Sequence, residues 1–171
     1  MKTTLFVLAA VAALAGCGTG QFRAPEPGIS MAQLESAMGQ AADKRVHSDG
    51  ETWYYYPRQP HGLAMFVARV DREGKVIAVE QRLTDQNVAK LEKGKTKADD
   101  VRDLLGPPWK VWPFPRMQRD IWEYRMTIDA AGWIPQGLYV QMSPDNVVRE
   151  IYILSDPDNR LSETGGGGPP R

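Results

Sequence analysis

Few side chains in this sequence have the type and spacing for covalent or acid–base chemistry. Cys17 is the only cysteine, so it is the one thiol open to modification, and the folded part must hold without disulfides. His47 and His61 are the only histidines, and neither stands at a metal-ligand spacing from another histidine or a cysteine. Asp99-Asp100 invites a reading as a catalytic carboxylate pair. Adjacent residues on a helix point about 100° apart, however. The pair therefore reads as capping acid at a positive helix end. His61 falls in a predicted turn. No Gly-x-Ser-x-Gly, Ser-x-x-Lys or phosphate-cradling glycine loop occurs. The residues thus predict no enzyme, no cofactor, no metal and no small-molecule substrate.

Cys17 does have a chemical context. Lys2 supplies a positive start, Leu5 to Leu14 is unbroken apolar sequence, and Leu14-Ala15-Gly16-Cys17 follows at once. A run this short, ending in small residues, reads as an export signal and not as a membrane span. With the cysteine directly behind the small residues, the segment resembles the signal peptides of bacterial lipoproteins. That resemblance implies removal of residues 1–16, a diacylglyceryl group on the Cys17 thiol and an acyl group on the new amine. Two or more acyl chains anchor a protein stably. Gly18 stands where Asp would mark retention in the inner membrane, so the resemblance implies an outer-membrane lipoprotein facing the periplasm.

The 171 residues carry 21 Lys+Arg and 21 Asp+Glu, a balance that gives no basic excess for nucleic acid. The length suits one domain or two small ones. Gly18 to Pro27 is mostly Gly, Thr, Pro and short polar residues, so residues 17–27 read as a lipidated tether. Residues 157–171 end in a Gly and Pro run that cannot pack a core and read as a disordered tail.

Between them one pattern occurs twice, in 28–82 and in 83–156. The first copy opens Gly28-Ile29-Ser30, the second Gly94-Lys95-Thr96. Each Ser or Thr is followed three residues later by a residue able to bond back, which predicts helices near Ser30–Met38 and Thr96–Leu105. Leu34/Met38 and Val101/Leu105 share one face of each helix. Gly39 and Gly106 close them, and Pro107-Pro108 reinforces the second stop. Trp-x-Tyr follows in each copy, at Trp53 and at Trp122, on a strand whose alternation puts the Trp and the second Tyr on one face. Pro-x-Gly-Leu comes next, at Pro60 and at Pro135, each opening a further strand. Strands are predicted over 63–70, 75–82, 138–142 and 147–154. Thr84 or Asp85 caps a further short helix, with Val88 and Leu91 inward. The predicted fold class is α+β, two tandem helix-plus-antiparallel-sheet repeats.

The second copy carries a family resemblance. Leu83-Thr84, Asn87-Val88, Leu91-x-x-Gly94-x-Thr96-Lys97-x-Asp99-Asp100-Val101, Leu104-Leu105-Gly106-Pro107 and Trp122-x-Tyr124 are similar to the SmpA/OmlA (BamE-like) outer-membrane lipoproteins. The resemblance implies two helices on a three-stranded sheet in the second repeat. It also implies a non-catalytic scaffold role near the machinery that inserts β-barrel proteins. The first copy is diverged, since Gly39-Gln40 lacks the family's Gly-x-Pro. The tandem arrangement also resembles the secreted β-lactamase-inhibitory proteins, which lack a lipobox. That likeness implies an alternative, a periplasmic binder that grips a soluble enzyme with a concave tandem sheet.

The aromatics are the remaining candidates. Trp53, Tyr55, Trp122 and Tyr124 are expected between helix and sheet. Trp109-Lys110-Val111-Trp112-Pro113-Phe114-Pro115-Arg116 is expected as a loop, because its prolines remove ladder bonding. Trp109, Trp112, Phe114 and Arg116 either fold back over the domain or face a partner. Trp133, in a predicted hairpin loop, could join either arrangement. Tyr54 and Tyr56 form a second, smaller patch.

Overall fold

Ser30 starts the first helix with a reciprocal cap. In the computed structural model, which describes residues 23–59, 62–127 and 135–155, Gln33 N donates to Ser30 Oγ at 3.4 Å and Ser30 N donates to Gln33 Oε1 at 2.9 Å. The helix α1 spans Met31–Met38 and buries Leu34 and Met38. Thr84 caps a one-turn helix, α2 (Asp85–Val88), by accepting from Asn87 N at 3.2 Å. The third helix, α3 (Ala98–Leu105), is capped one residue later than expected. Its N-cap is Lys97, whose N–H donates to Asp100 Oδ2 at 3.0 Å. Thr96 is held elsewhere, its Oγ1 accepting from Glu92 N at 2.7 Å.

The strands form two antiparallel meanders of four. The first sheet runs β1 (Asp43–Val46), β2 (Thr52–Pro57), β3 (Met65–Val70) and β4 (Val76–Gln81) in order. The second runs β5 (Lys110–Phe114), β6 (Arg119–Thr127), β7 (Pro135–Met142) and β8 (Val148–Ser155) in order. Trp53 lies on the second strand of one sheet and Trp122 on the second strand of the other.

This overturns the expected α+β class of two helix-plus-sheet repeats. The described chain is mostly β, with helices of only 8, 4 and 8 residues, and the second sheet has four strands where three were expected. Two strands were hidden in the sequence for physical reasons. β1 reads Asp-Lys-Arg-Val, too short and too charged to show an apolar alternation. β5 contains Pro113, and an edge strand tolerates it because half of its N–H groups have no ladder partner.

Side-chain alternation divides the first sheet between two cores. Tyr56, Ala68, Val70 and Val76 pack with Leu34 and Met38 of α1. On the other face, Tyr55, Met65 and Val67 join Val101 and Leu105 of α3 and Tyr124, Met126, Leu138 and Val140 of the second sheet. One core thus spans both sheets, with α3 between them. Ion pairs tie α3 to β1: Arg45 to Asp103 at 3.0 Å and to Asp99 at 3.3 Å, and Arg102 to Asp43. Partly exposed pairs of this kind contribute about 0–1 kcal/mol each, so the shared core dominates.

Glu51 is the strongest polar anchor of the first sheet. Its carboxylate accepts from Arg69 at 2.8 and 2.7 Å and from Trp53 Nε1 at 3.0 Å. The Arg69 hydrogen bond, opposed by partial burial and aided by Trp53, holds its pKa at about 2 against an ordinary 4.5. A depressed carboxylate stabilises the fold fully above its unfolded pKa and loses that contribution as pH falls through its folded value. Glu51→Gln should therefore cost about 1–2 kcal/mol at pH 7, allowing for solvent screening. The gap should close as pH falls from 4.5 towards about 2. Urea midpoints of both proteins across that range check it, and a gap independent of pH would refute it.

Candidate binding face

The second sheet has one face in the shared core. Its other face is built by register. Trp112, Ile121, Gln141 and Glu150 form one cross-strand row, and Lys110, Glu123, Tyr139 and Tyr152 the next. Arg125, Gly137 and Leu154 make a third. None of these residues belongs to either core cluster, whereas Trp122, Tyr124, Leu138 and Val140, on the opposite face, pack with α3.

The face is apolar at its centre. Ile121, Tyr139, Gln141, Tyr152 and Leu154 line a shallow cavity of about 240 Å³. Trp112, Tyr152 and Leu154 remain 47, 46 and 55 % exposed, which is high for large side chains inside a sheet. Tyr139 lies across Gly137, where a Cβ would come within 2.6–2.8 Å of its ring and hydroxyl. The absent side chain is what lets the phenol lie there.

The β5 side of the face is a layered cation–aromatic group. Lys110 Nζ stands 4.0 Å from the Trp109 ring centre and 5.1 Å from that of Trp112. The Arg125 guanidinium stands 5.1 Å from the Trp109 ring. The Trp112 indole N–H donates to Glu123, a carboxylate buried beneath it. Arg119 donates to Gln141 at 2.8 Å. On the β8 side Lys93 donates to Glu150 at 2.6 Å, and that bond holds the Glu150 carboxyl below its usual range.

The expected loop is thus a strand followed by a turn, and its residues part company. Trp109 and Trp112 come together around Lys110 on the open face. Phe114 sits at the strand's far end, lining a different cavity of about 400 Å³ with Trp122 and Met142. Arg116 is exposed in a 3-10 turn, Pro115–Met117, off the face. Tyr54 and Tyr56 form no open patch: Tyr56 is 3 % exposed beneath α1, and Tyr54 packs against the same cluster. Cys17, His61 and Trp133 lie outside the described residues. Ile121, Tyr139, Tyr152 and Leu154 were not read from the sequence. Their signal was the unbroken Ile151-Tyr152-Ile153-Leu154, since a strand buried on one face should alternate.

The chemistry-bearing residues are engaged locally. Asp100 caps α3 and Asp99 pairs with Arg45. His47 lies 4.3 Å from the Trp53 ring, centre to centre, and 3.7 Å from Asp103. Among the described residues, no group of three or more His, Cys, Asp or Glu is placed to hold a metal, and no helix is long and apolar enough to cross a membrane.

No family model matches this chain, SmpA/OmlA included, and no curated protein matches it. Two solved structures are similar over most of their length. One is a DUF4309 family protein (YjgB) from Bacillus subtilis, 12% identical, covering 74% of this chain and 78% of that one with a TM-score of 0.30. The other is a candidate β-lactamase inhibitor protein from Streptococcus mutans, 12% identical, covering 72% and 81% with a TM-score of 0.30. Likeness at that level assigns this chain neither family nor function.

Proposed function

We propose that this protein is a non-catalytic binder that grips a second folded protein on the open face of its second sheet. The observation that carries the reading is the difference between the two sheets. The first has both faces in apolar cores, whereas the second leaves Trp112, Tyr152 and Leu154 half exposed on one face. Single exposed apolar residues are ordinary, but a contiguous patch with a polar rim marks an interaction site. Trp, Tyr and Arg are the usual anchors of protein interfaces. The cavity of about 240 Å³ is below the roughly 300–1,000 Å³ of small-molecule sites, which favours a protein over a small ligand.

The partner we propose is a soluble periplasmic protein, bound in the manner of an inhibitor. A place in β-barrel assembly rested on the SmpA/OmlA resemblance, whereas the face requires only a single folded counterpart. A crosslinking pull-down from intact envelopes tests this. Recovery of one soluble protein is expected. Recovery of barrel-insertion machinery would replace the inhibitor-like role with an assembly role, and recovery of no protein would end the binder reading.

The membrane address is proposed from the sequence context of Cys17. A lipid there would confine the face to the membrane surface and raise its effective concentration for partners nearby. Cys17→Ser is expected to accumulate as an uncleaved or soluble form. If that variant is processed and sediments with outer membranes like the parent, the anchor is elsewhere.

A further inference from the structure

The four sheet edges are not alike. β1 is four residues long and carries Asp43, Lys44 and Arg45. β4 is covered at its start, where Gly28 N donates to Val76 O at 2.7 Å and Val76 N to Ile29 O at 2.9 Å, and it ends in Glu80 and Gln81. β5 carries Lys110 and Pro113. Short length, charge, proline and cover are the devices by which proteins keep edges from pairing.

Among the described residues, β8 has cover only at its first residue, through bonds from Gly94 N to Val148 O at 2.7 Å and from Val148 N to Thr96 O at 2.9 Å. Beyond it, Ile151-Tyr152-Ile153-Leu154 has neither charge nor proline. Among the described residues no other backbone bond reaches the outer side of this strand. Tyr152 and Leu154 on one face are 46 and 55 % exposed, and Ile153 on the other is 43 % exposed. The edge is therefore apolar and open on both faces at once.

We infer that β8 pairs antiparallel with β8 of a second copy, joining two second sheets into one. Pairing of β8 with the opposite edge of another copy is disfavoured, because Pro113 has no N–H to offer and Lys110 would enter the new ladder. An edge that can pair only with itself makes an isologous contact, which closes at two copies and does not grow into a fibre. The pleat restricts the register, since a two-fold axis perpendicular to the sheet must set one residue opposite itself. Centring on Ile151 would bring Leu154 against Val148, whose outer side Gly94 and Thr96 already hold, and centring on Ile153 would pair fewer residues. With Tyr152 opposite Tyr152, Ile151 meets Ile153, Glu150 meets Leu154 and Arg149 meets Ser155, so no like charges face each other. Centring on Glu150 would oppose two carboxylates. Tyr152 and Leu154 belong to both surfaces, but this contact is made by the β8 backbone edge and is read by dimer formation. The proposed partner face extends to Trp112 and Ile121 on β5 and β6 and is read by partner adducts, so either can fail without the other.

The test uses the full-length chain with Cys17→Ser, so that an introduced cysteine is the only thiol. Directly opposed residues in an antiparallel pair bring their Cα atoms to about 4.5–5.5 Å, within disulfide range. Under mild oxidation, Tyr152→Cys should convert to a linked dimer, whereas Val111→Cys, 51 % exposed on the blocked edge, should stay monomeric. Adding Ile153→Pro should abolish the dimer. Ile153→Lys, which keeps its N–H, should weaken it while leaving the thermal midpoint within a few degrees. Sedimentation of the Cys17→Ser parent chain should show a dimer. The inference is overturned by any of these: no dimer from Tyr152→Cys, equal dimer from Val111→Cys, a dimer indifferent to both Ile153 variants, or a monomeric or fibrous parent.

Discussion

Gly106→Ala is expected to lower the unfolding free energy by about 2–5 kcal/mol, and Gly39→Ala by about 1–3 kcal/mol. The two glycines end α1 and α3 with nearly the same backbone, φ +81° and ψ −167° at Gly39 and φ +83° and ψ −177° at Gly106. Any side chain there is strained, so the conformational cost is common to both. Their surroundings differ. A Cβ on Gly39 would meet nothing within 4 Å, whereas on Gly106 it would fall 2.6 Å from Met65 Cγ and 3.0 Å from its Sδ. Met65 is a first-sheet residue, 1 % exposed, in the core that α3 and the second sheet share. The Gly106 carbonyl also accepts from the Tyr124 hydroxyl at 3.1 Å, in a pocket whose burial pushes that phenol well above its usual pKa. The difference between the variants therefore measures how tightly the two sheets are packed through α3. Urea denaturation of both gives it directly. Equal losses would show that Met65 moves aside freely and that the joint is loose.

Trp112→Ala is expected to weaken partner binding by about 2 kcal/mol or more, at least roughly thirtyfold, while costing about 1 kcal/mol of stability. The stability cost comes from the lost indole bond to Glu123, since the ring itself is 47 % exposed on an edge strand. A well-buried Trp would instead cost about 3–5 kcal/mol on truncation. Thermal midpoint and partner affinity, measured on the same preparation, separate the two cases. A large fall in midpoint with binding retained at low temperature would place Trp112 in the protein's own packing and remove it from the interface.

Much of the helical framework was legible in the residues. Ser30 with Gln33, a cap at Thr84 or Asp85 that the structure gives to Thr84, and Gly39 and Gly106 as stops each rest on a backbone group that one nearby side chain or conformation satisfies. Thr96 misled by one position because its hydroxyl serves Glu92 N, in a turn tied to β8, and leaves the cap to Asp100. The strand count failed where edge strands need no pattern of their own. β1 is held by ladder bonds to β2 and ion pairs to α3, and β5 by one ladder to β6. Neither signal lies within its own five or so residues. The candidate site was half legible. Trp109 and Trp112 stood out because two indoles in a proline-rich stretch call for a partner. Phe114 and Arg116 left the group once β5 proved to be a strand, because the chain turns at Pro115. Tyr139, Tyr152 and Leu154 join the site only through cross-strand register, which no single segment encodes.

The proposed partner sits on the open face of the second sheet. A photoreactive residue placed at Ile121, in the middle of that face, is the direct test, with the same residue at Val46, 69 % exposed on the first sheet, as its counterpart. Irradiation of intact envelopes should give a partner adduct from position 121 and none from position 46. An adduct from position 46 with none from position 121 would place the partner on the first sheet and off this face.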